Sequence, residues 1–331
     1  MKQAMLNFMS SAGAFDPFRK ANRDKALILM YHRFSHGDGS SSTSAHAFGQ
    51  HLEYLKEHYT LVTISQLAQL LKSGEPLPRS LATITIDDGF RDAYDVAFPL
   101  LRRHDAPATL FAVTDFLDQK AWIWTDKLRF LTSRTSVEMF DMSVGQHNLK
   151  CELNGSESRL DVAACANELL KQIANEEKDE VISQIASTLR LTLPDLPPAE
   201  YAPLTWEQAR EMDRNGVEIA SHTLTHPILT KVSDEQLCKE LQGSRARLET
   251  ALNRENRSFC YPNGNYDERV IQAAELAGYN CAVSTENGLN TSHTNLFMMR
   301  RMPANANFAR FVKATSGFEQ VQIGLRRSLR D

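Results

Sequence analysis

The sequence predicts an α/β protein: a parallel sheet wrapped by helices and interrupted by one inserted α+β subdomain. Three observations carry this. Short apolar, partly β-branched runs alternate with helical stretches of roughly 10–15 residues, the signature of right-handed βαβ units. The alternation stops once, over residues 118–202, and then resumes. The composition, 42% hydrophobic and 24% charged over 331 residues, is that of an ordinary soluble domain, which excludes disordered and collagen-like classes.

The elements follow in order. Residues 26–30 read as a strand and 45–58 as a helix with Phe48, Leu52 and Leu55 on one face. A short helix over 65–73 precedes a strand over 81–86, a helix over 90–105 and a strand over 108–113. The insert opens with Trp122 and Trp124. It continues as a hairpin, 137–144 and 148–153 with its turn at Gly145-Gln146, and two helices over 160–173 and 177–189. Pro194, Pro197 and Pro198 end it. Beyond it come helix 206–215, strand 217–220, helix 234–253, strand 258–261, helix 267–277, strand 280–284 and a last strand-like stretch, 297–302. About seven strands suit a barrel or barrel-like variant better than an open sheet, although periodicity alone does not separate the two.

Charge and cysteine usage narrow the partners. With 37 Lys+Arg against 41 Asp+Glu the net charge is −4, which argues against a nucleic-acid-binding face. Five scattered cysteines form no CxxC pair, the usage of a reducing compartment. The first 25 residues hold only short apolar groups broken by Asp16, Lys20, Arg23 and Asp24. No signal peptide is therefore expected, and a cytoplasmic protein is. Leu6, Phe8, Phe15 and Phe18, with Arg326, Arg327 and Arg330 in a basic tail over 317–331, add peripheral membrane contact as a secondary expectation.

Three places carry chemistry, each at the C-terminal end of a predicted strand, where parallel α/β proteins build their sites. Thr83-Ile-Thr-Ile-Asp87-Asp88-Gly89 runs an apolar strand into two adjacent carboxylates. One can bind a metal while the other accepts a proton; a helix N-cap would need only one. Ser221-His222-Thr-Leu-Thr-His226 places two histidines four apart. On one side of a helical turn their imidazoles would converge, and with a carboxylate they leave positions open for water. In Tyr261-Pro262-Asn263-Gly264 a tight turn follows a strand and can present a backbone N–H to a developing oxyanion.

The order TIDDG, SHTxxH, YPxG resembles the metal-dependent polysaccharide deacetylases, the NodB-homology group of carbohydrate esterase family four, over residues 26–117 and 203–316. The resemblance implies a distorted (β/α)7 barrel and one divalent ion, zinc first, with cobalt, nickel, manganese or iron also compatible with a two-His, one-carboxylate set. It implies a carbohydrate substrate carrying an N-acetylated amino sugar. Matched residue by residue, it makes Asp88, His222 and His226 the metal triad, Asp87 the catalytic base, and the Asn263 N–H an oxyanion donor.

Two departures stand out. The relatives' late histidine has no good counterpart: His293 lies in a polar stretch, so His32, at the end of the first strand, is the preferred general acid, against a purely structural histidine. The arginine that orients the base in many relatives is replaced by Cys260. Arg301 is the chosen substitute, ahead of Arg300 and Arg91. Trp122 and Trp124 either stack on sugar rings or, the preferred reading, anchor the insert. The expected function is removal of N-acyl groups from an amino-sugar glycan or a lipid- or nucleotide-linked precursor. Rival readings are hydrolysis of a non-sugar amide and a catalytically idle glycan-binding barrel.

Overall fold

Seven short, mostly apolar runs pair side by side in one parallel sheet. They are β1 (Leu27–Tyr31), β2 (Leu81–Ile86), β3 (Ala108–Ala112), β4 (Val217–Ser221), β5 (Ser258–Cys260), β6 (Cys281–Val283) and β7 (Met302–Pro303). The structure is a computed structural model that describes residues 2–37, 42–144, 147–153 and 155–320. The spatial order is β6-β5-β4-β3-β2-β1-β7, with a two-residue strand, Thr60–Leu61, beside the start of β2. Met299 bridges Val283 of β6 in parallel, and three residues later Met302 pairs with Leu29 of β1. One segment thus links the two edges of the sheet and closes a distorted barrel.

The expected strand over 297–302 is mostly absent. The Asn290 carboxamide takes up both backbone groups of Arg300, accepting from its N–H and donating to its C=O at 2.9 Å each. A side chain therefore occupies the ladder positions, and only the last residues reach β1.

Side chains alternate along the strands. Ile28, Phe111, Ala220, Cys260, Val283 and Met299 point to one buried cluster, which Ile64, Leu67 and Leu71 of the helix Ile64–Lys72 join. The opposite face, with Leu27, Leu29, Ile84, Ile86, Leu110 and Ile219, packs against the outer helices. Those helices form where expected: Ala45–His58, Trp206–Arg214, Asp234–Leu252 and Glu268–Leu276, each with a side-chain N-cap from Ser44, Thr205, Ser233 and Asp267. The helix expected over 90–105 is a π-turn, Ala93–Ala97, followed by Phe98–Arg103; Pro99 supplies no N–H to continue one regular ladder.

Between β3 and β4 lie the helices Trp124–Arg134, Ser156–Leu170 and Lys178–Thr188 and the antiparallel hairpin Met139–Val144/His147–Glu152. They share their own apolar core of Trp124, Leu128, Phe140, Val162, Leu170 and Ile182. The expected turn at Gly145-Gln146 falls outside the described residues.

The N-terminal expectation needs correction. Phe15 is not a surface residue: it is buried and meets the ring of Phe318 edge-on, as does Phe18. Of the four residues assigned to a membrane face, only Phe8 is largely exposed, at 73%. The arginines at 326, 327 and 330 lie outside the described residues. Among the described residues no helix is long and apolar enough to cross a membrane.

Candidate active site

The C-terminal ends of β1, β2, β4, β5 and β6 and the residue before β7 converge on one cavity of about 500 Å³. His32 follows β1, Asp87 and Asp88 follow β2, His222 follows β4, Asn263 follows β5, and Arg301 precedes β7; all line it. Backbone conformation sets the aim of these groups. Asp88 has φ +75° and Gly89 φ +90°, so the chain doubles back directly after Asp87. Gly89's φ strains any residue with a Cβ, and a Cβ there would also crowd Leu117 Cδ1 at 2.8 Å.

Asp88 Oδ1 lies 3.6 Å from Nε2 of His222 and 3.6 Å from Nε2 of His226. These three atoms form a buried group of metal-ligand geometry. Ligands of a tetrahedral ion with bonds of about 2.1 Å stand about 3.4 Å apart, so the spacing fits. His222 Nδ1–H donates to Cys260 O at 2.8 Å, which leaves the Nε2 lone pair facing the site. The electrostatics agree. Burial lowers His222 to about 4, and burial with the adjacent His222 holds His226 well below its ordinary range. Burial and the neighbouring Asp87 push Asp88 well up. Three desolvated donors with unshared lone pairs crowd together, and a divalent cation between them satisfies all three.

The histidines do not sit on a helical turn, contrary to expectation. Residues 222–226 form a loop with Thr223 at φ +71° and His226 at φ +61°. Glu240, on the helix Asp234–Leu252, holds it: its carboxylate accepts from Leu224 N (2.9 Å), Thr225 N (3.0 Å) and Thr225 Oγ1 (2.6 Å). His226 N donates to Thr223 Oγ1 at 3.0 Å.

Asp87 is set apart from the metal group by Arg301. The buried guanidinium donates from Nη1 to Asp87 Oδ1 at 2.7 Å and to Thr85 Oγ1 at 3.1 Å. Nε donates to Ser284 O at 2.8 Å, and Nη2 reaches Cys260 Sγ at 3.2 Å. Burial alone would raise Asp87, but Arg301 foremost, then His32 and His222, hold it far below the carboxylate range. A second candidate ligand group, Asp87, His222 and Cys260, is chemically poor. A guanidinium already occupies Asp87, and burial keeps the Cys260 thiol protonated.

The other assignments divide. His32 Nε2 lies 3.7 Å from Asp87 Oδ2 with its ring half-exposed at the mouth. Arg300 pairs with Glu286 and Arg91 with Asp95, both partly exposed. Neither lines the cavity. His293 sits in an exposed turn, its N–H on Thr291 Oγ1. In the turn after β5, Pro262 has no N–H and the Gly264 N–H is spent on Tyr261 O at 2.8 Å. The Tyr261 hydroxyl donates inward to Phe297 O. Of the four residues assigned to substrate or oxyanion, only Asn263 keeps a backbone N–H without an acceptor among the described residues; its φ is +57°. Gly264 is sterically required, since a Cβ there would fall 2.0 Å from Thr285 Oγ1.

Trp122 and Trp124 do not reach the cavity. Trp122 packs on Phe130 and Tyr201, and Trp124 lies in the insert core beneath the Lys178 ammonium, 4.7 Å from the ring centre. Sequence reasoning missed Glu240, Arg33 and the insert's share of the cavity wall, Thr125, Arg129, Asn167 and Lys171. None of these carries a local sequence signal.

A larger cavity, about 630 Å³, opens at the opposite end of the strands. Its central carboxylate, Glu218, is already satisfied by Ser65 N, Thr109 Oγ1 and Ser258 Oγ.

A parallel barrel with a carboxylate and two imidazoles at its mouth, beside an arginine-held carboxylate, sets a candidate cation site next to a proton acceptor. A family profile described as polysaccharide deacetylase matches residues 74–282, more than half of the chain, and the chain belongs to that family of hydrolases. YxkH of Bacillus subtilis (strain 168), whose own name assigns it to the polysaccharide deacetylases, is 22% identical over 280 residues, covering 84% of this chain and 71% of that protein. The poly-beta-1,6-N-acetyl-D-glucosamine N-deacetylase of Staphylococcus epidermidis is 26% identical over 161 residues, 42% of this chain and 54% of that enzyme. Among solved structures, the Streptococcus pyogenes deacetylase PplD in complex with acetate aligns with a TM-score of 0.59 at 21% identity, over 89% of this chain and 99% of that one. At that identity the likeness is one of fold.

Proposed function

We propose that this chain hydrolyses N-acetyl groups on an amino-sugar glycan, using one divalent ion, zinc first, at Asp88, His222 and His226. The observation that carries the reading is the division between two adjacent carboxylates: Asp88 faces two imidazoles, whereas Asp87 is held by Arg301 and faces the open cavity. An ion in the triad supplies Lewis acidity toward an acetyl carbonyl and makes water a better nucleophile. Asp87, ionised and fixed, accepts the proton of the attacking water. The Asn263 N–H donates to the oxygen that gains charge as the carbonyl carbon becomes tetrahedral. His32, 3.7 Å from Asp87 at the mouth, gives a proton to the departing amine. Arg301 orients Asp87 and keeps it charged. The amino-sugar substrate is supported by the family and by the poly-N-acetylglucosamine deacetylases among the relatives.

The test is acetate release from a panel of N-acetylated oligosaccharides and sugar precursors, before and after chelation. Release that stops with chelator and returns with zinc is expected. A metal-loaded protein that releases acetate from none of them overturns the sugar reading.

A further inference from the structure

Asp87 and Asp88 sit on a loop that β2 cannot hold by itself. Positive φ at Asp88 and Gly89 turns the chain out of the sheet directly after Asp87, so the loop needs bracing from outside. Part of that bracing comes from the end of the insert, which runs antiparallel to it. Leu204 N donates to Gly89 O and Arg91 N to Ala202 O, at 2.9 Å each, around a bridge between Phe90 and Pro203. Tyr201, one residue earlier, packs on Trp122 and Phe130 of the insert. The loop that carries both carboxylates is therefore tied to the insert's exit.

Arg33 joins these parts to the end of β1. It follows His32 directly, and its backbone C=O accepts from Thr43 N at 2.9 Å. The guanidinium lies over the Phe90 ring, 4.1 Å from its centre, with the Tyr201 ring centre at 5.6 Å. Nε donates to Asp92 Oδ2, at the far end of the loop, and Nη2 to Glu200 O, both at 2.6 Å. A planar fork serves these two acceptors at once, as an ammonium would not. The Glu200 carboxylate is engaged elsewhere, by Arg134 Nη2 within the insert. The His32 ring is half-exposed and stands 3.7 Å from Asp87 Oδ2. The spacing of acid and base is thus set by the two backbone segments that Arg33 joins.

We propose that Arg33 is a positioning residue for turnover, bracing the end of β1, the Asp87–Asp92 loop and the insert's exit so that His32 and Asp87 keep their spacing. This rests on the deacetylation reading above. The experiment measures kcat and KM for acetate release from the N-acetylated oligosaccharide that wild type hydrolyses best. It compares zinc-loaded wild type, Arg33→Met, Arg33→Lys, Asp92→Asn, the Arg33→Met/Asp92→Asn double variant and Arg134→Gln, with zinc content and Tm recorded for each. Arg33→Met is expected to lose kcat roughly 10- to 100-fold, with KM within about twofold and zinc retained. Arg33→Lys recovers part of the loss, Asp92→Asn shows a smaller loss of the same kind, and the double variant is no worse than Arg33→Met. Arg134→Gln, which frees the Glu200 carboxylate but leaves Arg33 in place, keeps the wild-type kcat. If Arg33→Met does not fold, Asp92→Asn and Arg33→Lys carry the test. Folded, loaded variants at the wild-type kcat overturn the role. So does a kcat loss that only follows lost zinc, or one that Arg134→Gln shares. Because Arg33 also borders the cavity, a raised KM at unchanged kcat would make it a substrate contact instead. Acetate release by wild type from no oligosaccharide overturns the deacetylation reading itself.

Discussion

Replacing Arg301 with Met removes a cation from a place where nothing can stand in for it. Arg301 and Asp87 are about 1% and 3% exposed at the side chain, and the Nη1–Oδ1 distance is 2.7 Å. The same guanidinium also serves Ser284 O, Thr85 Oγ1 and Cys260 Sγ. Breaking a buried pair by deleting one partner costs about 3–5 kcal/mol, because the other charge is stranded. Asp87 relieves part of that by taking up a proton, since burial pulls its pKa upward once Arg301 no longer opposes it. Two consequences follow. In the wild type Asp87 is depressed, so the pair's stabilisation is complete at neutral pH and fades in acid. The stability gap between wild type and variant is therefore widest near pH 7 and closes as pH falls. Turnover at neutral pH drops by roughly 100-fold or more as the base loses its orientation and is partly protonated, and the variant's activity relative to wild type rises with pH. Lys at 301 keeps the charge but not the fork, and restores the pH profile only in part. Urea titrations at pH 4 to 8 and acetate release at pH 5 to 9 measure both effects. Turnover within twofold of wild type across that range, with unchanged stability, refutes the role given to Arg301.

Glu240→Ala leaves three donors of the histidine loop unpaired; metal affinity should fall about 10- to 100-fold, read by competition with a chromophoric chelator. Lys178 is buried over Trp124, and burial first, with Lys231 second, lowers it from 10.5 to about 8. Because the folded form binds this proton more weakly, its cost is complete below pH 8 and disappears as pH rises toward 10.5. Lys178→Met should therefore stabilise the protein at pH 7 by about 1–3 kcal/mol, after allowing for the lost cation–π contact, and the gain should shrink by pH 10 in denaturant titrations. A Gly264→Ala variant places a methyl group against Thr285 at positive φ; it should lose turnover at least tenfold with metal content intact, measured by acetate release beside metal analysis.

The sequence made the strand ends legible because each motif follows an apolar run that could only be a strand. Asp87, Asp88, His222 and His226 stand where β2 and β4 stop, so their convergence follows from topology alone. Arg301 was legible for a weaker reason: an arginine beside the last strand was the nearest cation able to replace the one missing at Cys260. What stayed hidden depends on distant contacts. The shape of the 222–226 loop is imposed by Glu240, a residue that reads as one more surface acid on an amphipathic helix. The burial of Phe15 requires Phe318, some three hundred residues away. The cavity wall at Arg129 and Asn167 depends on how the insert folds back, and no periodicity encodes that. Asn290 displaced the expected last strand by a side-chain bond that mimics a backbone ladder.

The central claim is that neighbouring carboxylates do different work, Asp88 in holding the ion and Asp87 in moving a proton. Metal stoichiometry and acetate release measured together on wild type, Asp87→Asn and Asp88→Asn test it most directly. One equivalent of metal in wild type and Asp87→Asn, little in Asp88→Asn, and acetate release from wild type alone is the predicted result. Acetate release by metal-free Asp88→Asn, or by Asp87→Asn at the wild-type rate, would contradict it.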